Sequence, residues 1–560
     1  VNAHATSPLT APLLEVQSEG LAEKPFVSDA VLLQQARRQR AAWRLAPADS
    51  DNQFRQEQFA ARLKNLRQRL RGMLASYKPR ITSRDLTPAL ELLESSRLLD
   101  SVLEELDSTY PQFLAAPYVI VPRAEAPSSR VLALAEQYTV AADGIWSPES
   151  LSLYVGEIQQ GEPLLLAELL LLPSSLRLAQ TEFLLDRAEA ALKLAELPPI
   201  EQSPFSNLLH SLRRLGQYDW ESLLESLAAF HAVLAQDPAG VFLKMEPETR
   251  NIYRMRIAEL ASRADVGEVQ TAKAALELAT ASTQNPPVDP RLAWRMAHIG
   301  YYLFEEGLPA LTRRIGYHPT APLRFRQWLT RYGSDAYIAS ILILSLLIIV
   351  ALIAPLVSQN EFWLVIVALF LALLPATQGA SDLVNGAVSS LLSPRTLPKL
   401  DFSEGIPTDQ TTFVVVPTLL LNEKQVAALF DDLEARYIAN QDPHLHFGVL
   451  TDLPDSTTPP TADEQNPLLE LSVRHTQRLN AKYAGQGSGA FLLLHRHRVF
   501  NARQGVWMGW ERKRGKLLGL NKLLMGEYDS FPTKSGPLEV LQRVRYIITL
   551  DSDTQLPHGT

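Results

Sequence analysis

YIASILILSLLIIVALIAPLV, Tyr337–Val357, runs for 21 residues without a charged side chain. At helical rise it covers roughly the 30 Å of a bilayer's hydrocarbon core. Only SQNE separates it from a second apolar run, FWLVIVALFLALLPAT, Phe362–Thr377. One run of about ten to fourteen residues would read as a buried core helix, but two long uncharged runs in succession read as membrane spans. We place them over 337–357 and 362–380. So short a link makes an antiparallel hairpin, and the segments on either side of it then share one face of the membrane. Basic residues near the spans set which face. Arg313, Arg314, Arg324, Arg326 and Arg331 precede the first span, Arg395 and Lys399 follow the second, and the link carries only Glu361. Both flanks are therefore expected on the cytoplasmic side. Past the second span, Leu383, Val384, Val388, Leu391 and Leu392 recur at helical spacing. That fits an interfacial helix and linker over 381–410, or a plain extension of the span.

Upstream, residues 30–335 read as successive amphipathic helices broken by Pro or Gly, a helical cytoplasmic domain. In DWESLLESLAAFHAVLAQ, Trp220, Leu223, Leu224, Leu227, Phe230, Val233 and Leu234 form one apolar stripe and Asp219 is available as a cap. No fixed-period repeat is evident, so a helical scaffold is expected rather than a named solenoid. His210 and His231 sit beside apolar helix positions and read as packing or surface residues. Residues 1–29 read as a disordered or cut N-terminus. VNAHATSPLT has neither an initiator Met nor the layout of a secretory signal, and with the ending at Thr560 it suggests a piece of a longer polypeptide.

At 560 residues the chain is long enough for two or three folded units. Its 46% hydrophobic and 20% charged residues are ordinary for globular protein. A net charge of −8 provides no basic footprint for nucleic acid. There is no cysteine, which removes disulfides, thiolate metal sites and cysteine nucleophiles together.

After the hairpin the pattern changes to alternating strands and helices over 411–560. TTFVVVP (411–417) is β-branched and ends on Pro, and the helical pattern NEKQVAALFDDLEARYIAN follows. HFGVLTD closes on Asp452, GAFLLLHRH (489–497) is a third strand, VWMGWERKRGKLLGLNKLLMGE is a basic turn feeding a helix, and RVRYIITL leads to Asp551 and Asp553. Such alternation implies a mostly parallel sheet, which binds ligands at the carboxyl ends of its strands. Three polar stretches fall there: Thr418–Glu423, Asp452–Asp455 and Asp551–Asp553. Two carboxylates one residue apart suit a hard divalent cation, since Mg²⁺ takes one or two carboxylates plus phosphate oxygens. Asp452 could accept hydrogen bonds from a base or ribose, or simply open an Asp-Pro-rich turn. Arg512, Lys513, Arg514 and Lys516 around Gly515 form a plausible diphosphate cradle or a surface charge cluster. The histidines of HLHF and HRHR have metal-like spacing, but alternation on a strand is expected to place them on one solvated face.

FVVVPTLL, GVWMGWERKRGKL and YIITLDSDTQLP, with RNIYRMRIAELASRADVGE and HIGYYLFEEGLPALTRRIGYHP upstream, resemble the N-terminal part of the bacterial cyclic β-1,2-glucan synthases. The resemblance reaches roughly residues 30–560. It implies a multidomain membrane protein of the bacterial inner membrane with an all-α N-terminal region, a two-helix transmembrane hairpin and an incomplete α/β glycosyltransferase domain of GT-A-like, Rossmann-type fold. It also implies UDP-glucose as donor, a growing β-glucan as acceptor, the lipid bilayer as surroundings, and Mg²⁺ or Mn²⁺ as cofactor. Asp551 and Asp553 would hold the metal, Asp551 also touching the diphosphate. Asp452 would contact the nucleotide, Lys516 would lie near the diphosphate, and Thr418 and Glu423 would lie near the uridine. The match of PTLLLNE to the family's compact Pro-x-x-Asn-Glu turn is loose.

An inverting transfer needs a general base near the acceptor hydroxyl, and the resemblance places it downstream of Thr560, so no catalytic residue is expected within the chain. QRVRY (542–546) imitates the family's Arg-Trp motif but precedes Asp551 and reads as strand lead-in. Tyr437, Tyr483 and Tyr528 remain open as sites for glucan priming. Two other readings stand beside this one, a different processive polysaccharide synthase and a catalytically dead membrane scaffold with a degenerate nucleotide-sugar fold.

Overall fold

The computed structural model describes residues 27–45, 52–77, 92–120, 128–192, 205–321, 323–324, 332–357, 362–391, 397–460, 466–485 and 490–557. It divides into two compact units, Val1–Lys399 and Leu400–Thr560. Most of the stretch 1–29, and Arg326, Arg331 and Arg395 among the orienting basic residues, lie outside the described residues.

The first unit is mostly helical. Helix Leu166–Leu192 packs against helices Ser96–Ala115, Arg130–Ala141 and Ser206–Gln217. The stripe anticipated from Trp220 onward is real but divided. Asp219 caps helix Trp220–Leu227 by accepting from the Glu221 N–H (3.1 Å), and a second short helix, His231–Leu234, follows. His210 is exposed and His231 half-buried, neither near a metal-binding cluster among the described residues. One departure from an all-α unit is a small antiparallel sheet of Arg44–Leu45, Tyr118–Ile120 and Ser128–Ser129, whose strands are too short to show a period.

The sequence phrases that carry the resemblance upstream converge on one buried hub. Asp237 accepts the N–H groups of Val241 (3.1 Å), Phe242 (3.3 Å) and Ile299 (3.0 Å) and pairs with His298 Nδ1 at 2.8 Å. His298 Nε2 in turn lies 2.8 Å from the Tyr253 hydroxyl. One carboxylate, with both oxygens hydrogen-bonded, thus ties the loop to helix Ile299–Phe304 and, through His298, to helix Pro247–Ala261.

Two further carboxylates meet at the start of Leu166–Leu192. Glu168 is fully buried and paired with Arg130, while Glu268 accepts the Leu166 N–H at 2.9 Å. Burial, with Glu168 nearby, raises the Glu268 carboxyl to about 7, against the pull of the Leu166 N–H. Its folded value exceeds its unfolded one, so the stability it contributes is complete below the unfolded value and is lost as pH rises toward 7. Glu268→Gln, which keeps the acceptor for Leu166, is expected to leave stability near unchanged at pH 5 and raise it by roughly 2–3 kcal/mol at pH 8. Denaturant unfolding at the two pH values measures this, and an equal effect at both would refute the assignment.

Helices α1 (Gly333–Val357) and α2 (Phe362–Leu391) are both long and apolar enough to cross a membrane. They pack on each other through Ile349, Ile353 and Ala376, and the Tyr337 hydroxyl donates to Asn385 Oδ1 at 2.9 Å. The opposite faces are bare, with Leu346 61% and Leu374 78% exposed, a surface that water does not tolerate at this size. α2 continues unbroken past Ser381 to Leu391. Beyond it, Lys399 N–H donates to Thr249 Oγ1 (3.1 Å) and Lys399 O accepts from Glu246 N–H (3.1 Å), tying the chain after α2 back to the helical region before α1.

The second unit is a sheet covered on both faces. Its elements are β1 (Thr412–Leu419), α3 (Glu423–Ala439), β2 (Leu445–Asp452), α4 (Pro467–Lys482), β3 (Phe491–His495), β4 (Val499–Asn501), β5 (Val506–Met508), α5 (Arg512–Leu524), β6 (Thr533–Ser535) and β7 (Tyr546–Thr549). Strand order is β7-β1-β2-β3-β6, parallel throughout except for β6. The sheet is therefore mixed, because a three-residue strand with no legible period closes the edge of β3. Val414, Val416, Phe447 and Val449 pack under α3 and α4, whereas Phe413, Val415, Leu450 and Leu492 pack against α5. Burial on both faces explains why these strands read as continuous apolar runs.

Pro417 does not end β1, which runs two residues further. Leu550 N–H donates to Val415 O, so odd-numbered positions of β1 face β7, and β7 has already stopped below Pro417. The missing N–H of Pro417 thus costs no ladder bond. The QRVRY segment serves as lead-in, Leu538–Gln542 forming a 3₁₀ turn before β7.

Candidate functional site

The chain passes from β1 through β2 to β3 on one side and returns with β7 on the other side of β1, which makes the carboxyl end of β1 a topological switch point. Asp452, the last residue of β2, is 1% exposed. Arg496, one residue past β3, grips it in a two-point fork, Nε to Oδ1 at 3.0 Å and Nη2 to Oδ2 at 2.9 Å. Lys516 Nζ lies 3.3 Å from Asp452 Oδ2 and donates to Thr418 O at 2.5 Å, bridging β2 to β1. Burial pulls the Lys516 ammonium below the ordinary lysine range, against the attraction of Asp452. One carboxylate faces two buried cations, so this cluster carries net positive charge at the strand ends.

The glycines of GVWMGWERKRGKL make room for it. A Cβ on Gly509 would fall 2.4 Å from Asp452 Oδ2, and one on Gly515 would fall 2.0 Å from Trp510 O and 2.6 Å from Arg496 Nη1. Between them Glu511 (φ +53°) and Arg512 (φ +42°) both adopt left-handed backbone, a strained pair that starts α5. Arg512 reaches Asp455 (2.9 Å), and Lys513, on the exposed first turn, pairs with Asp551.

Asp551 and Asp553 follow β7 and are exposed. Thr418 is half-buried; Gln425 Nε2 donates to its hydroxyl at 3.3 Å and to Leu419 O at 3.0 Å. Glu423 is exposed at the first position of α3, behind the cap Asn422, which accepts from Gln425 N–H at 2.9 Å. The structure thus gathers Thr418, Asp452 and Lys516 directly and joins Asp551 to the same helix through Lys513. Among the described residues no hydrogen bond or ion pair brings Glu423 or Asp553 into the cluster.

Among the described residues no three His, Asp or Glu side chains converge as a metal cage. Two exposed carboxylates one residue apart do suit a cation whose other ligands are phosphate oxygens and water. The histidine expectation is corrected for His446 and His495, whereas His444 is half-buried and His497 exposed, both just outside the strands. His446 and His495 are buried, with His446 accepting from the Ala490 N–H (3.0 Å) and His495 Nδ1 lying 2.8 Å from Thr451 Oγ1, because a strand covered on both faces has no solvated side. Of the three tyrosines, Tyr437 is buried against Phe447, Tyr483 and Phe491, Tyr483 donates to Glu434 (2.7 Å), and Tyr528 is 56% exposed. Arg496 was not singled out from sequence as a partner for Asp452. Its signal was position alone, a cation immediately after the strand neighbouring β2.

No protein-family model matches the chain. Over 362 residues, 63% of its length, it is 34% identical to the cyclic β-(1,2)-glucan synthase NdvB of Rhizobium meliloti (strain 1021). That match covers 12% of the relative's length. Together with the two apolar helices, it points to a membrane protein. The resemblance read from the sequence phrases is thereby supported by an extended match, and over that stretch the chain is similar to a cyclic glucan synthase.

Proposed function

We propose that the second unit is the donor-binding half of a membrane glycosyltransferase that passes glucose from UDP-glucose to a growing β-1,2-glucan with inversion. The observation that carries this reading is the placement of a buried, net positive cluster and an exposed Asp-x-Asp pair on strands that flank one switch point, in a chain similar to a cyclic glucan synthase. Asp551 and Asp553 would hold Mg²⁺ or Mn²⁺, which when bound supplies Lewis-acid stabilisation for a diphosphate leaving group. Lys513, paired with Asp551 on the exposed first turn of α5, would meet the diphosphate, with the N-terminus of α5 behind it. Lys516 and Asp452 would act from beneath, since their polar atoms are committed to each other, to Arg496 and to Thr418 O. Thr418 and Glu423 flank the turn where the nucleoside would lie.

In this reading α1 and α2 form a multi-pass hairpin in the bacterial inner membrane. The tie between Lys399 and Thr249 supports both flanks lying on one side, and the basic residues favour the cytoplasm. The test is direct. Membranes carrying the complete protein, given radiolabelled UDP-glucose and Mg²⁺, are expected to incorporate label into β-1,2-linked glucan. Dependence on another nucleotide sugar, or label in another linkage, overturns the donor or product assignment.

A further inference from the structure

Arg436, in the last turn of α3, is 5% exposed. Among the described residues its guanidinium meets no carboxylate within ion-pair distance. Nη2 donates to the carbonyls of Ser552 (2.9 Å) and Thr554 (2.7 Å), and Nε donates to Thr554 O (3.1 Å). One turn along, Asn440 Nδ2 reaches Leu556 O at 3.4 Å. Leu550 and Leu556 enter the same apolar cluster as Leu433 and Tyr437. The segment carrying Asp551 and Asp553 is therefore fastened to α3 through its backbone, while both aspartate side chains stay exposed.

This arrangement solves a specific difficulty. Two like charges one residue apart repel, and an unsupported loop relieves that repulsion by splaying them. A buried guanidinium fixes the two carbonyls that bracket Asp553 and sets its positive charge behind the pair. The planar fork matters, because an ammonium is a point donor that cannot span both carbonyls in one geometry. We propose that Arg436 is a positioning residue for the Asp551–Asp553 pair, holding the two carboxylates at the separation a divalent cation needs. The inference rests on the metal role proposed above.

The test is Arg436→Lys, which keeps the charge and most of the stem, in the complete protein. Without ligand, amide hydrogen exchange across 551–556 is expected to accelerate by about tenfold or more while the strands β1–β3 exchange at the wild-type rate. Mn²⁺ binding in the presence of UDP, followed by electron paramagnetic resonance, is expected to weaken by about tenfold, equivalent to some 1.4 kcal/mol. Asn440→Ala removes the outer tether, together with the Asn440 bond to Arg436 O (3.2 Å), but leaves the Arg436 guanidinium in place; it should give the same changes at about two- to threefold, so the question stays answerable if Arg436→Lys does not fold. Wild-type exchange and wild-type Mn²⁺ affinity in the variants overturn the proposal, as does acceleration spread evenly over the unit. If the unsubstituted protein binds no Mn²⁺ with UDP, the metal reading fails and Arg436 loses its positioning role with it; if it binds and the variants bind equally, only the role of Arg436 falls.

Discussion

Asp452→Ala is expected to destabilise the α/β unit by about 3–5 kcal/mol, the usual effect of deleting one member of a buried ion cluster. The magnitude follows from what remains. Arg496 and Lys516 have side chains 6% and 3% exposed, and each would lose its counter-charge without gaining water. A domain has only about 5–15 kcal/mol in total, so the variant should populate partly unfolded protein under mild denaturant. Pulse proteolysis across a urea series, reading fragments from 400–560, measures it. Removing the cations as well, in Asp452→Ala with Arg496→Met and Lys516→Met, is expected to recover most of the loss, since no unpaired charge stays buried. If the triple variant is no more stable than the single one, the cluster is not coupled as described. Recovered stability would not bring recovered glucan synthesis, which separates the cluster's part in folding from its proposed part at the diphosphate.

The complementary result concerns Asp551 and Asp553. Exchanging both for Asn retains size and most hydrogen bonding and removes two negative charges. The residues are exposed, and a surface exchange of this kind moves stability by no more than about 0.5 kcal/mol. On the function proposed above, incorporation of glucose from UDP-glucose by the complete protein is nevertheless expected to drop by about 100-fold or more, because the charge stabilisation that a bound cation would supply to the departing diphosphate is removed. Lys513 loses its partner in the same change, and Lys513→Ala alone should therefore give a smaller loss. Undiminished incorporation in the double Asn variant would remove the metal from the reaction.

The sequence made some of this plain and hid the rest for identifiable reasons. β1, β2 and β3 were legible because strands buried on both faces need unbroken β-branched and aromatic residues, as in FVVV and HFGVL. The two apolar helices were legible from length and absence of charge, although the end of the second was not, since Ser381–Leu391 keeps a helical pattern whether or not it lies in lipid. β6 was hidden by being three residues long, and the β4–β5 hairpin by its small size, with Gly505 in left-handed backbone at the turn as its one local mark. At the site, Asp452, Lys516 and Asp551 could be found because each lies at a strand end or in a basic turn. Arg496 and Arg436 could not, because in sequence each is one more cation in a polar context. Only a neighbouring strand gives Arg496 its partner, and only the fold-back of 551–556 gives one to Arg436.

Pro417 bears on more than the geometry of β1. Parallel sheets grow by zippering, each new residue of one strand offering a carbonyl to the next donor of its neighbour. On the side of β1 that faces β7, that growth meets a residue with nothing to donate. A longer β7 would have to bury a carbonyl without a partner, a cost of about 1–3 kcal/mol. The ladder between β1 and β7 is therefore stopped at Val415 and Thr549 by chemistry, a single imino acid setting how far the edge strand can grow.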